Sequence, residues 1–395
     1  MPQDNQIVIT SIARTPMGNM LGELSPLVAH QLGATAIRAA VERARLSPED
    51  VEEVIMGNVL TAGQGQAPTR QAALRAGLSH SIPCSTLNKI CGSGMKAIMF
   101  GHDTIRAGSA ELIVAGGMES MSNAPYLVPK ARGGYRYGHG ELLDHMALDG
   151  LEDAYEKRMP MGVYAERTAK RYGYSREQQD AFAIESLRRA QAATADGSFD
   201  FEIAAVEVPG KGGSKHITHD EGPMRSKAEK IPTLQPAFKL GGTVTAASSA
   251  SISDGAAAVT LMSAATAAKR GLVPLARIVG HAQHARAPAA FTVAPVYAIA
   301  KLLQRIGWQA AEVDLWEINE AFAVVTMAAM QEHHLEHTRV NIHGGACALG
   351  HPIGASGARL VVTLIGALRK TGSKRGIASL CIGGGEATAL ALELC

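Results

Sequence analysis

Two glycine-ringed cysteines, far apart in the chain with a histidine between them, are the residues with the most chemistry to offer. Cys91 lies in Asn88-Lys89-Ile90-Cys91-Gly92-Ser93-Gly94, Cys381 in Cys381-Ile382-Gly383-Gly384-Gly385, and His351 in Gly350-His351-Pro352-Ile353-Gly354. A thiol becomes a nucleophile when it has a base, an open approach and N–H donors for the oxyanion that forms. Glycine lets a carbonyl come close to the backbone. Cys91 precedes a helical stretch, where the free N–H groups of a helix start lower a thiol pKa. His351 suits a general base near neutral pH. Cys381 ends a buried strand; a second thiol beside the first suits proton transfer to or from carbon, and Gly383 can present an N–H to an oxyanion. Asn319, in Asn319-Glu320-Ala321-Phe322, reads by itself as a helix N-cap. Its amide also suits a bound water or a substrate oxygen.

Singly, each of these has a plainer reading: a buried structural thiol, or a loop histidine bonded to a carbonyl. Other candidates are weaker. His333, His334 and His337 have helical metal-ligand spacing without a third ligand type nearby, and read as a solvated helix face. Gly63-Gln64-Gly65-Gln66 lacks the strand–helix context of a dinucleotide loop. Cys84 and Cys347 read as packing residues and Cys395 as a free tail thiol. Five cysteines without framework spacing indicate free thiols in a reducing compartment, which we take as cytoplasmic.

The elements that must position these residues alternate between strand and helix. Strand-like runs cover 7–12, 51–57, 111–115 (ending in Gly116-Gly117), 315–318 and 377–382; helical runs cover 27–45, 95–107 and 358–368. This alternation predicts a buried, largely parallel sheet. Two local matches point to an internal duplication. Cys91-Gly92-Ser93-Gly94-Met95-Lys96 resembles Gly354-Ala355-Ser356-Gly357-Ala358-Arg359, and Ala115-Gly116-Gly117-Met118-Glu119 resembles Ile382-Gly383-Gly384-Gly385-Glu386. Between the halves, residues 123–247 change in composition. They hold Gly-, Tyr- and Met-rich loops, a capping-box helix start at Ser175-Arg176-Glu177-Gln178, and a basic loop with Lys211, Lys215, Arg225, Lys227 and Lys230. The reading is an N-terminal half of 1–122 plus 248–270, an inserted ligand-holding loop domain of 123–247, and a C-terminal half of 271–395.

At 395 residues the chain can bury a large core. A net charge of +2 gives no electrostatic case for nucleic acid. No apolar run approaches a membrane span. The first residues, Met1-Pro2-Gln3-Asp4-Asn5-Gln6, have neither signal- nor transit-peptide character.

Taken together these residues resemble the thiolase family over nearly the whole chain. The segments around Cys91, Asn319, His351 and Cys381 are similar to the family's four catalytic motifs. Ala13-Arg14-Thr15-Pro16, Gly65-Gln66-Ala67-Pro68-Thr69-Arg70-Gln71 and Gly241-Gly242-Thr243-Val244-Thr245-Ala246 match as well. The resemblance implies an α/β thiolase fold, five-layered αβαβα from two similar halves with an inserted loop domain, and a homodimer or homotetramer. It implies condensation of two acetyl-CoA to acetoacetyl-CoA, or the thiolytic reverse, with coenzyme A thioesters as substrates and no metal or redox cofactor. It assigns the acyl-carrying nucleophile to Cys91, its base to His351 and proton transfer at carbon to Cys381. Asn319, through a water, and His351 would hold the enolate oxygen; the N–H groups of Cys91 and Gly383 would form a second oxyanion hole. Pantetheine contacts would fall on Leu151, Met161, Phe238, Ala246, Ser249 and Phe322, with Arg225 near the adenine.

Three departures stand out. Ala250 replaces a serine able to bond pantetheine, leaving Ser249 or Ser251 to compensate. Pro160 precedes Met161-Gly162 where biosynthetic members often carry histidine. Glu386-Ala387 follows the glycines instead of the commoner Gln/Met-Gly, an exchange expected to affect packing and not chemistry. Pro160 keeps open a broad chain-length 3-ketoacyl-CoA thiolase of fatty-acid β-oxidation. A decarboxylating ketoacyl synthase lacks a thiol at the Cys381 position. A non-catalytic acyl-CoA-binding protein would have no reason to fill all four catalytic positions.

Overall fold

A strand buried along its whole length needs cover on both faces, which here comes from helices packed on either side of the sheet. The computed structural model describes residues 6–210 and 212–395; residues 1–5 and Lys211 lie outside it. Its first half runs β1 (Ile7–Arg14), α1 (Ala29–Arg43), β2 (Glu53–Gly57), α2 (Pro68–Arg75), β3 (Cys84–Leu87), α3 (Ser93–Arg106) and β4 (Leu112–Ser120). An intervening segment holds α4 (Met161–Tyr172) and α5 (Arg176–Ala195), and β5 (Ser253–Ser263) closes the half. The second half runs β6 (Ala276–Ala285), α6 (Ala294–Ile306), β7 (Leu315–Ile318), α7 (Ala323–His333), α8 (Ile353–Thr371), β8 (Arg375–Ile382) and β9 (Glu386–Leu394). β1, β4 and β5 are buried almost throughout.

The strand order is β3-β2-β4-β5-β1 in the first half and β7-β8-β9-β6 in the second. Val340 bridges to Trp316 at the place that β3 fills in the first half. The half-sheets join where β1 meets β6, Val8 opposite Arg277 and Ile9 opposite Ala276. Even an irregularity repeats: β1 slips register between Ile9 and Ser11, and β6 between Ile278 and Gly280. α3 and α8 lie between the half-sheets, α1 and α2 cover the outer face of the first, and α6 and α7 that of the second. This is the five-layered arrangement that the family resemblance implies.

Two expectations need correction. The sheet is mixed, not largely parallel: β4–β5, β5–β1, β8–β9 and β9–β6 are all antiparallel. No helix crosses over between β8 and β9, which are joined by a three-residue glycine turn. Nor does β4 end at Gly116-Gly117. It runs to Ser120, because these glycines mark close approach. A Cβ on Gly116 would stand 2.1 Å from the Ala257 carbonyl oxygen, and one on Gly117 2.1 Å from that of Gly354.

The same device lets α3 and α8 touch. A Cβ on Gly357 would lie 2.4 Å from the Met95 backbone nitrogen. We expect Gly357→Ala to cost about 1–3 kcal/mol by overpacking, read as a lower denaturant midpoint at unchanged slope; an unchanged midpoint would mean that the helices have slack.

Residues 121–252 occupy the position that Gly383-Gly384-Gly385 fills in the second half, between paired antiparallel strands. The capping box forms as predicted, with Ser175 Oγ accepting from Gln178 N at 3.2 Å and Gln178 Oε1 from Ser175 N at 2.9 Å. Arg14 ties this segment to β1. It meets Asp220 bidentately, at 2.7 and 2.9 Å, and Glu202 at 2.7 Å, with all three side chains buried.

Candidate active site

Cys91 sits on a strained turn at the N-terminal end of α3. Ile90, a β-branched residue, has φ of 47°, a conformation that persists only where its surroundings impose it. Asn88 and Ser93 impose it here. Asn88 Oδ1 accepts from Ile90 N at 2.9 Å, Ser93 Oγ donates to Ile90 O at 2.7 Å, and Ser93 Oγ accepts from Lys89 N at 2.8 Å. The motif residues flanking Cys91 are thus the ones that hold the thiol at the helix mouth. Lys89 forms an ion pair with Glu386 of the other half, which gives the departure at Glu386 a role across the interface.

The other half supplies the partners. Gly383 N–H and the N–H of Cys91 itself both point to the Cys91 sulfur. Cys381, buried at the end of β8, lies near enough that its ionisation is opposed by charge on Cys91. The buried His351 ring is fixed by Ser356: Ser356 Oγ donates to Pro352 O at 2.9 Å and accepts from His351 Nδ1 at 2.5 Å. That network leaves Nε2 with its lone pair. Asn319 Nδ2 stands 3.4 Å from Nε2. Asn319 is not an N-cap, since α7 is capped by Phe322. Its Oδ1 is buried without a protein partner among the described residues, as suits an amide that holds a water.

The model of the thiolase N-terminal domain matches residues 7–265, and that of the thiolase C-terminal domain residues 272–394. The chain belongs to the thiolase family. It is 48% identical to an acetyl-CoA acetyltransferase of Schizosaccharomyces pombe, over 99% of each chain. It is also 48% identical to one of Cupriavidus necator, over 98% of this chain and 99% of the other. Among solved structures, the Acat5 thiolase of Ascaris suum in complex with coenzyme A superposes with a TM-score of 0.93 at 43% identity, covering 99% of this chain and 100% of that one. The acetyl-CoA acetyltransferase of Bacillus anthracis gives 0.96 at 38%, covering 99% of both.

In this thiolase burial favours the neutral forms of Cys91, His351 and Cys381. Burial pushes the Cys91 thiol up to about 11; the two N–H groups pull the other way, and nearby Glu119 adds to the rise. The lowering expected from the helix start does not prevail, since burial outweighs the pull of both N–H groups. Burial, with the charge of Arg359, holds His351 down at about 3, so its ring is an uncharged acceptor at neutral pH. Burial raises Cys381 well above the usual thiol range. With a Cys91 pKa of about 11, only about one thiol in 10⁴ is ionised at pH 7. Alkylation of Cys91 by iodoacetamide should therefore rise about tenfold per pH unit from 7 to 10. A plateau near pH 7 would reveal a resting thiolate and refute this.

Glu119 is the functional residue that sequence reasoning missed. Fully buried on β4, it accepts from Asn58 Nδ2 at 2.7 Å and from the N–H groups of Val59, Leu60 and Gly354 at 3.0, 3.2 and 2.9 Å. It so ties the His351 loop to the nucleophile half. Its carboxyl is pushed up to about 7 by burial, against those four donors. The available signal was the repeat match that contains it.

The predicted coenzyme contacts divide. Met161, Phe238 and Phe322 pack in one apolar cluster with Cys381, and the rings of Phe238 and Phe322 meet edge to face at 5.8 Å. Leu151 packs in the cluster that holds Cys91 and Ile90. Ser249 bridges to Phe322, but its hydroxyl already donates to Thr245 O at 2.7 Å, leaving only acceptor capacity. The Ser251 hydroxyl is engaged with Ser253. Ala250 contributes its N–H to Ala321 O. Ala246 is exposed, and Arg225 stands on the surface in an ion pair with Glu221. Pro160 caps α4. The three histidines 333, 334 and 337 share no helix face, because α7 ends at His333, where His334 turns left-handed; His333 bonds Val296 O and His337 stacks on Phe182. All five cysteines are free thiols. No helix among the described residues is long and apolar enough to cross a membrane.

Proposed function

We propose that this thiolase catalyses reversible condensation of two acetyl-CoA to acetoacetyl-CoA and CoA through an acetyl thioester on Cys91. Cys91 Sγ attacks the first acetyl-CoA carbonyl as its proton passes to His351 Nε2. CoA leaves, and Cys381 supplies the proton that makes it a free thiol. Cys381, now a thiolate beside a protonated imidazole, removes a proton from the methyl carbon of the second acetyl-CoA. Its enolate oxygen is held by His351 Nε2–H and, through a water, by Asn319. The enolate carbon attacks the Cys91 thioester, whose oxyanion sits between the N–H groups of Cys91 and Gly383. Collapse frees acetoacetyl-CoA, and Cys91 recovers its proton from His351. Every proton is accounted for, and the resting groups return neutral.

The observation that carries this reading is the convergence on Cys91 of two N–H donors and of a second thiol from the opposite half. The segment 123–247 serves as the coenzyme-holding domain, with pantetheine lying along Met161, Phe238 and Phe322 and the adenine end near Arg225. The enzyme works in the cytoplasm as a homodimer or homotetramer, and fatty-acid metabolism supplies or consumes its product. The test is thiolysis across 3-ketoacyl-CoA chain lengths, with the trapped acyl group located by mass spectrometry. Highest kcat/KM at four carbons with the thioester on Cys91 supports the reading. Activity rising steeply beyond four carbons transfers it to the broad chain-length class, and a thioester elsewhere removes it.

A further inference from the structure

At the far end of α3 from Cys91, three side chains converge with no part in the reaction. His102 and Asp103 lie in the last turns of α3, and His281 on β6 comes from the other half. Eleven residues at 1.5 Å each put His102 about 16 Å along the helix from the nucleophile. His102 Nδ1 is 2.9 Å from Asp103 Oδ1, His281 Nε2 is 3.0 Å from the same oxygen, and the two ring nitrogens are 3.3 Å apart. Ligand atoms about 2.1 Å from one metal ion stand roughly 3.0 Å apart in octahedral and 3.4 Å apart in tetrahedral geometry. All three separations fall close to that range. The rings meet edge to face at 5.0 Å and 89°, not stacked.

Hydrogen bonding alone fits this cluster poorly. If both rings donate to Asp103, two N–H groups crowd side by side onto one carboxylate oxygen, with their nitrogens only 3.3 Å apart. If one ring donates to the other, the accepting nitrogen carries no proton and the donor's N–H is already used, so neither is left for the carboxylate. A cation accepted by all three atoms removes the conflict. Both rings are held below the usual histidine range, chiefly by burial, which keeps them in the neutral form that metals require. The carbonyl end of α3 adds partial negative charge. Opposing these, Lys96, Arg106, Lys301 and Arg305 line the same cavity of about 680 Å³. Those cations disfavour a bare dication and favour one that carries an anionic oxygen ligand on its cavity side.

We propose that His102, Asp103 and His281 form one face of a site for a single divalent transition-metal ion, zinc by ligand set, with its remaining positions open to the basic cavity. The ion would clamp the nucleophile helix of the first half to β6 of the second, outside the catalytic chemistry.

The full-length protein, stripped with a chelator, is titrated with Zn²⁺ by calorimetry and with Co²⁺ by visible absorption. We expect one ion per chain, no intense thiolate-to-cobalt band, and a higher melting temperature with metal. His281→Ala should weaken binding at least 100-fold while leaving acetyl transfer and the metal-free melting temperature unchanged; His102→Ala should match it. No saturable uptake, uptake undiminished in His281→Ala, or a thiolate band showing that the metal sits on the cysteines would each overturn the proposal.

Discussion

Cys91→Ala is expected to lose both acetyl-CoA turnover and covalent acetyl labelling, by a factor on the order of 10⁴ or more, as when the nucleophile of a coupled catalytic unit is removed. Cys381→Ala should behave differently. It keeps the nucleophile, the His351 base and both N–H donors of the second oxyanion hole. CoA can depart as a thiolate without help, because an exposed thiol of ordinary pKa is a fair leaving group. Labelling should then be slowed but detectable, while condensation fails for want of a base at carbon. Incubation with radiolabelled acetyl-CoA, followed by denaturation and counting, separates the two. Equal loss of label in both variants would show that the thiols do not divide the work as proposed. A Cys91 thiol held near 11 and a His351 ring held near 3 do not exchange a proton until a thioester carbonyl takes up the developing charge.

Arg14→Ala is expected to produce the largest loss of stability, about 3–5 kcal/mol, because it strands two buried carboxylates. Glu202 and Asp220 are 1% and 0% exposed, and Arg14 is the guanidinium that both contact. Burial already raises the Glu202 pKa despite Arg14. A carboxyl whose folded pKa lies above its unfolded value is destabilising when ionised. The penalty is relieved as pH falls through the folded pKa and is full above it. The Arg14→Ala deficit, measured by urea unfolding, should therefore narrow toward acid pH. A deficit that widened on acidification would contradict this. Arg14→Lys keeps a charge but loses the fork that grips Asp220 at both oxygens, so most of the deficit should remain.

The residues to which the proposed chemistry is assigned stood out in the sequence wherever one residue type sits in a fixed local frame. Cys91, Asn319, His351 and Cys381 each sit in such a frame, and the repeat matches anticipated the paired halves. What escaped notice depends on partners remote in sequence. Glu119 is one more acidic residue after two glycines until Asn58, Leu60 and Gly354 are brought to it. Ser356 matched Ser93 as a pattern; only the fold shows that one fixes the His351 ring and the other the Ile90 turn. The direction of the Cys91 shift was misjudged because a helix start is a local property and desolvation is not. Gly116-Gly117 resembled a strand end because the carbonyls of Ala257 and Gly354 pressing on them come from elsewhere in the chain.

The unequal connections between the paired strands have an engineering consequence. One copy of the duplicated unit joins its antiparallel strands with three glycines, whereas the other spends residues 121–252 on the same link. The first connection delivers an amide to the sulfur; the second delivers a wall of aromatic and sulfur-bearing side chains. On the proposed reading, cargo recognition and bond-making are written into separate stretches of chain hung on one scaffold. A grafted segment that kept Asp220 and Glu202 as anchors for Arg14 could retune which thioesters are admitted while leaving the reacting atoms where they are.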